Sequence, residues 1–237
     1  MNYKRPLICF EGLDASGKAT MSAYAAEVLK GVVFSFPAYD TPTGKLLLEH
    51  LKGEVEMVGV TPFPARWRGS KLTDHNMLVR QSLMTVNRYE AQAQLLHALN
   101  TSPVVLDRYW LSSLVYGEAE GLDTEWIVEI SSTLLKPDLT IVLDIPVCAV
   151  GQRRPQARDK NETDLDKLQR VRDLYRASNG YTHQNHTVIL DADRPLDVVK
   201  NAVYNLINCN FSTTRAPTIL SSDYDLSPAQ DVVARRT

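Results

Sequence analysis

Short apolar runs separated by helix-length amphipathic segments restrict this chain most, because that alternation builds a parallel sheet covered by helices. Leu7-Ile8-Cys9-Phe10, Val32-Val33-Phe34-Ser35-Phe36, Val104-Val105-Leu106, Thr140-Ile141-Val142-Leu143-Asp144 and Thr187-Val188-Ile189-Leu190 read as five strands. They lack polar alternation, as strands buried on both faces do. A helix is expected from about 19 to 30, and others at about 43–52, 77–99, 123–135, 146–154, 164–178 and 195–208. The expected fold is a doubly wound α/β domain with a five-stranded parallel sheet and helices on both faces. With 237 residues, 44% of them hydrophobic, the chain has material for one such domain and not for two. That domain is expected over 1–209. Residues 56–72, with Pro62, Pro64, Arg66, Trp67 and Arg68, break the alternation as an inserted loop. Residues 210–237, rich in Ser, Thr, Pro and Asp, are expected to form a flexible tail.

Charge and cysteine usage narrow the function. Twenty-six basic against 28 acidic residues leave a formal charge of -2, so no general positive field points to nucleic acid. No run approaches the roughly 18 apolar residues of a membrane span. The apolar stretch after Lys4 and Arg5 is cut short by Glu11, leaving no signal-peptide core. Three well-separated cysteines, Cys9, Cys148 and Cys209, fit neither a disulfide framework nor a metal knuckle. They are expected to be reduced and buried in a cytoplasmic protein.

Gly12-Leu13-Asp14-Ala15-Ser16-Gly17-Lys18 lies between the first strand and the first helix, the context a phosphate-binding loop requires. Gly12 and Gly17 let backbone N–H groups turn inward. The helix start, from Ala19, adds partial positive charge, and Lys18 reaches the outer phosphates of ATP. Position 19 is Ala, where a metal-binding hydroxyl is usual, so Mg²⁺ would be held by Thr20 one place later or by Asp14 and Asp107. Asp107-Arg108 closes the third strand at its carboxyl end, where open α/β sheets bind ligands. Arg108 can there fork onto a phosphate. Arg153, Arg154 and Arg158 crowd a Pro-broken loop, 152–163, whose charge suits a lid over a transferring phosphoryl group.

Five stretches in order resemble the thymidylate kinase family: Phe10-Glu11-Gly12-Leu13-Asp14-Ala15-Ser16-Gly17-Lys18, Phe36-Pro37-Ala38-Tyr39, Asn87-Arg88-Tyr89-Glu90, Asp107-Arg108-Tyr109-Trp110-Leu111-Ser112-Ser113 and Arg158-Asp159-Lys160-Asn161-Glu162. The resemblance spans about 5–208. It implies a P-loop kinase fold, Mg·ATP as phosphoryl donor, a deoxynucleoside monophosphate acceptor, most simply dTMP, and a homodimer packed helix to helix. It implies that Phe36, Pro37, Tyr39, Met84, Arg88, Ser112, Ser113 and Tyr116 line the acceptor site, with Arg88 on the carbonyl edge of the base. Tyr116 would pack against C2′ and exclude ribose. Asp14 and Glu162 would approach the 3′-hydroxyl or the metal, and Asp193 the adenine, although Asp193 could equally cap the helix after Pro195. Because Ala15 and Ser16 leave the phosphate loop without a basic residue before Lys18, the resemblance puts the catalytic arginine in the lid.

The chain departs from the family at Met84, where many members stack a phenylalanine on thymine, and at Gly117, where many carry Gln or Thr. Met84 and the insert leave dUMP, a 5-modified dUMP or several dNMPs open as acceptors. A nucleotide-binding switch module without phosphoryl transfer is the alternative from another class. Asp107-Arg108 and the lid arginines argue against it.

Overall fold

The computed structural model describes residues 5–52, 54–55, 75–153, 164–178 and 186–211. The 56–72 insert, lid residues 154–163 and the tail from 212 onward lie outside the described residues. Five strands, β1 (Leu7–Gly12), β2 (Val32–Ser35), β3 (Val104–Asp107), β4 (Leu139–Asp144) and β5 (His186–Asp191), form one parallel sheet in the order β2-β3-β1-β4-β5. All six residues of β1 are buried, as the central position demands, whereas Val32 and Val33 on the edge strand β2 are exposed.

The helices are α1 (Lys18–Leu29), α2 (Pro42–Lys52), α3 (His75–Glu90), α4 (Gln92–Thr101), α5 (Trp110–Ala119), α6 (Thr124–Ile130), α7 (Val147–Arg153), α8 (Leu165–Arg176) and α9 (Leu196–Phe211). α1 packs on β1 and β3 and against α9, while α5 packs on β1 and against α3, α6 and α8. Because β1 leads to β2 on one side of itself and β3 leads to β4 across it, the carboxyl ends of β1, β3 and β4 frame the crevice where such sheets bind ligands.

Four expectations need correction. The helix expected over 77–99 is two helices, parted at buried Ala91. Gln92 Nε2 donates to the Arg88 carbonyl at 3.0 Å and to the Tyr109 hydroxyl at 2.8 Å, and its Oε1 accepts from Leu135 N at 3.0 Å, fixing the break by tertiary contacts. The segment 123–135 is helical only over Thr124–Ile130, started by Asp123, whose side chain accepts from Glu125 N at 2.9 Å. Helix α5 is absent from the expected set of helices. Of the three cysteines only Cys9 is buried; Cys148 and Cys209 are exposed.

Candidate active site

β1 runs directly into the loop at Gly12, where φ is 135° and a Cβ would sit 2.5 Å from the Leu143 carbonyl oxygen, so only glycine fits. Ala15 (φ 60°) and Gly17 (φ 95°) complete the turn in the left-handed region. Gly17 has no side chain with which to cap α1, which leaves first-turn N–H groups available to an anion. Lys18 opens α1 and folds back over the loop, its Nζ donating to the Leu13 carbonyl at 2.5 Å and to Ser16 Oγ at 3.5 Å. Burial, reinforced by the Arg108 charge and opposed by Asp14 and Asp107, lowers its pKa to about 7.

Arg108 leaves β3 with φ 65°, a strained value for a non-glycine residue of the kind found at ligand clamps. Its guanidinium pairs with Asp14, donates to the Gly12 carbonyl at 3.1 Å and to Ser112 Oγ at 3.4 Å, and lies 5.8 Å from the centre of the Tyr116 ring. The pair therefore ties the loop after β1 to the end of β3. Burial raises the Asp107 pKa against the pull of Lys18 and Arg108.

A cavity opens beside this pair. Asp14, Phe36, Pro37, Tyr39, Met84, Arg88, Arg108, Ser112, Ser113 and Tyr116 all line it, so the structure gathers these predicted acceptor residues from the segments after β1, β2 and β3 and from α3 and α5. Glu162 lies outside the described residues. Arg88, 3% exposed, donates to the Met84 carbonyl and Ser113 Oγ from Nη1 at 2.8 and 2.9 Å and to the Tyr109 carbonyl from Nη2 at 2.8 Å, whereas its Nε has no partner. Burial lowers its pKa, with Glu11 acting in the opposite direction.

Several residues of this region escaped the sequence reading. Leu51, Arg80, Gln81 and Glu120 also line the cavity. Glu120 bridges Arg80 of α3 and Lys167 of α8. Fully buried Glu11 accepts from Tyr109 N at 2.8 Å, Ser112 N at 3.2 Å, Ser112 Oγ at 2.5 Å and the Tyr175 hydroxyl at 3.0 Å. A carboxylate there satisfies donors at the start of α5 and suits the positive end of its dipole. The Asn87 side chain accepts from Ala38 N at 2.8 Å and donates to Thr41 and Thr43 hydroxyls at 2.9 and 3.0 Å, bracing the segment after Pro37. Position within a recurring string was the only available signal for Glu11 and Asn87.

Other predicted residues sit differently. Ala19 and Thr20 are exposed. Arg153 closes α7 and reaches the Ala15 carbonyl at 3.3 Å, the Ala192 carbonyl at 3.1 Å and Asp193 Oδ1 at 3.0 Å, linking the phosphate loop to the segment after β5. Asp193 is thus held by an arginine. Arg154 and Arg158 lie outside the described residues.

The thymidylate kinase family model matches residues 10–203. A probable thymidylate kinase of Archaeoglobus fulgidus is 30% identical over 204 residues, 85% of this chain and 94% of that protein. The thymidylate kinase of Schizosaccharomyces pombe is 28% identical over 221 residues, 88% of this chain and 94% of its own. The solved structure of Candida albicans thymidylate kinase superposes with a TM-score of 0.70 at 24% identity, over 89% of this chain and 94% of that one, a likeness of fold. The chain accordingly belongs to the thymidylate kinase family, ATP-dependent phosphotransferases that convert dTMP to dTDP.

Proposed function

We propose that the Asp14–Arg108 pair divides the site into two halves, ATP on the loop side and the acceptor monophosphate in the cavity, and that Arg108 holds the acceptor phosphate for in-line attack on the γ-phosphorus. The observation that carries this reading is the position of one guanidinium within bonding distance of both the loop carbonyl of Gly12 and the cavity hydroxyl of Ser112. Phosphoryl transfer needs positioning and charge stabilisation more than covalent chemistry. The loop N–H groups and Lys18 hold the donor phosphates, Arg108 the acceptor phosphate, and Arg88 with Ser113 one edge of the base. Tyr116, half-buried beside Arg108, packs against the sugar and leaves a 2′-hydroxyl without room or partner.

The donor set suits Mg²⁺ brought in with the nucleotide. Asp107 offers a carboxylate next to Lys18 and Arg108, and Asp14 a second one engaged by Arg108. Among the described residues no group of three or more His, Cys, Asp and Glu side chains could hold a metal unaided. Mg²⁺ characteristically takes one or two carboxylates and completes its shell with phosphate oxygens and water. Asp107, with Asp14, would hold the ion, which supplies charge neutralisation between donor and acceptor. Arg154 and Arg158 of the lid add positive charge there, and Arg153 steadies the adenine end of the donor site with Asp193.

The reading extends to a cytoplasmic homodimer with nucleotides as its only substrates. Exposed Val79 and Val86, seven residues apart on one face of α3, support packing of helix on helix. Met84, without an aromatic face for the base, favours a second acceptor reading that includes dUMP and other deoxynucleotides. Single-turnover assays of Lys18→Ala and Arg108→Ala test the division of roles. Lys18→Ala is expected to lose transfer while folding normally, and Arg108→Ala to lose about 2–5 kcal/mol of acceptor interaction. An unchanged acceptor KM and rate in Arg108→Ala would return Arg108 to a structural role.

A further inference from the structure

The floor of the acceptor cavity holds a polar side chain that the family strings do not include. Gln81 lies on α3 one turn before Met84 and two turns before Arg88, so all three share a helix face. It lines the cavity with them, is 4% exposed, and its Oε1 has no hydrogen-bond partner. An orphaned buried acceptor is costly, and a native protein retains one where something else completes it.

The facing helix explains why this duty falls to α3. Gly117 follows Tyr116 on α5, and a Cβ there would collide with the Ile127 side chain of α6 and come 3.6 Å from Gln81 Nε2. Position 117 therefore carries no side chain toward the base, and the Gln81 amide occupies the neighbouring space. Arg88 sets the other half of the pattern. Its terminal nitrogens are committed to Met84, Ser113 and Tyr109, which fixes the guanidinium, and its Nε is a donor without a partner.

Resting on the acceptor assignment above, we propose that Gln81 is a base-reading residue, its Oε1 accepting the N3–H of a pyrimidine whose C4 carbonyl accepts from Arg88. A fixed donor beside an acceptor matches the acceptor–donor edge of thymine or uracil. Cytosine presents the reverse order, an amino donor toward a guanidinium and a bare N3 toward an amide oxygen. Sites that pair a buried polar group with a substrate N–H discriminate strongly against analogues lacking it.

The test is a cycle between one side chain and one ligand atom. The kcat/KM of purified full-length wild type and of Gln81→Met, which keeps the volume without the acceptor, is measured with dTMP, dCMP and 3-deaza-dTMP, in which C–H replaces N3–H and C4 carries a hydroxyl in place of the carbonyl, a second change that both proteins meet alike. Thermal unfolding of both proteins without nucleotide accompanies it. Wild type should lose about tenfold more from dTMP to 3-deaza-dTMP than Gln81→Met does, and the variant should show a narrower dTMP preference over dCMP. The free variant should be at least as stable as wild type, because it sheds an unpaired buried oxygen. Each ratio is taken on one enzyme sample, so partial unfolding of the variant cancels. Equal 3-deaza penalties in the two proteins overturn the proposal. Failure of wild type to turn over dTMP would instead overturn the acceptor assignment itself, and is seen before any variant is compared.

Discussion

Binding of ATP is expected to draw a proton onto Lys18. In the free protein burial, with Arg108 alongside, sets the lysine pKa at about 7, against an ordinary value of 10.5. Below that pH Lys18 is charged, and at pH 8 only about one molecule in ten carries the charge. Donor phosphates against Nζ favour the charged form and lift the pKa again. At pH 8, therefore, binding takes up about 0.9 proton, and affinity falls by up to about tenfold, or about 1.4 kcal/mol, for each pH unit above 7. For the free fold the sign is opposite: the unfolded chain keeps a proton that folded Lys18 gives up, so this group adds stability as pH rises from about 7 toward 10.5. Titration calorimetry at pH 8 in buffers of different ionisation enthalpy counts the protons, and phosphate groups with a second pKa near roughly 6 contribute little there. Lys18→Met should bind weakly with no proton uptake. Zero uptake by wild type at pH 8, with affinity flat across pH 6.5 to 8.5, would refute the reasoning.

Three substitutions probe other parts of the site. Glu11→Ala strands the Tyr109 and Ser112 N–H groups and leaves the Tyr175 hydroxyl only its contact with Ser112 Oγ, and should cost about 3–5 kcal/mol in denaturant unfolding; a loss below about 1 kcal/mol would mean that water replaces the carboxylate. Arg153→Ala frees Ala15 and Asp193 from each other and should raise the ATP KM by about tenfold with a smaller effect on kcat, whereas a dominant loss of kcat would move Arg153 into the transition state. Tyr116→Ala should narrow the preference for deoxy- over ribonucleoside monophosphates by about 1–3 kcal/mol in kcat/KM terms, and an unchanged preference would leave the tyrosine a packing residue against Tyr175.

What the sequence disclosed follows from the range of the forces involved. The strands and the phosphate loop were legible because apolar runs and glycine spacing are local signals. The lining of the acceptor cavity was legible through the recurring strings. Helix α5 escaped the set of expected helices because buried residues occupy most of it, Trp110 through Val115 without a break, so no polar stripe marks its period. The break at Ala91 depends on Gln92 meeting Tyr109 and Leu135, contacts that exist only after folding. Gln81 and Glu120 likewise acquire meaning only when α3 faces α5.

The most direct test of the central claim is a panel of deoxy- and ribonucleoside monophosphates offered with Mg·ATP to the purified protein, with ADP release and the phosphorylated product both identified. The account predicts that dTMP gives dTDP with the highest kcat/KM, that dCMP and the ribonucleotides trail it, and that ATP turnover without an acceptor is negligible. Intact ATP binding with no acceleration by any monophosphate would contradict it.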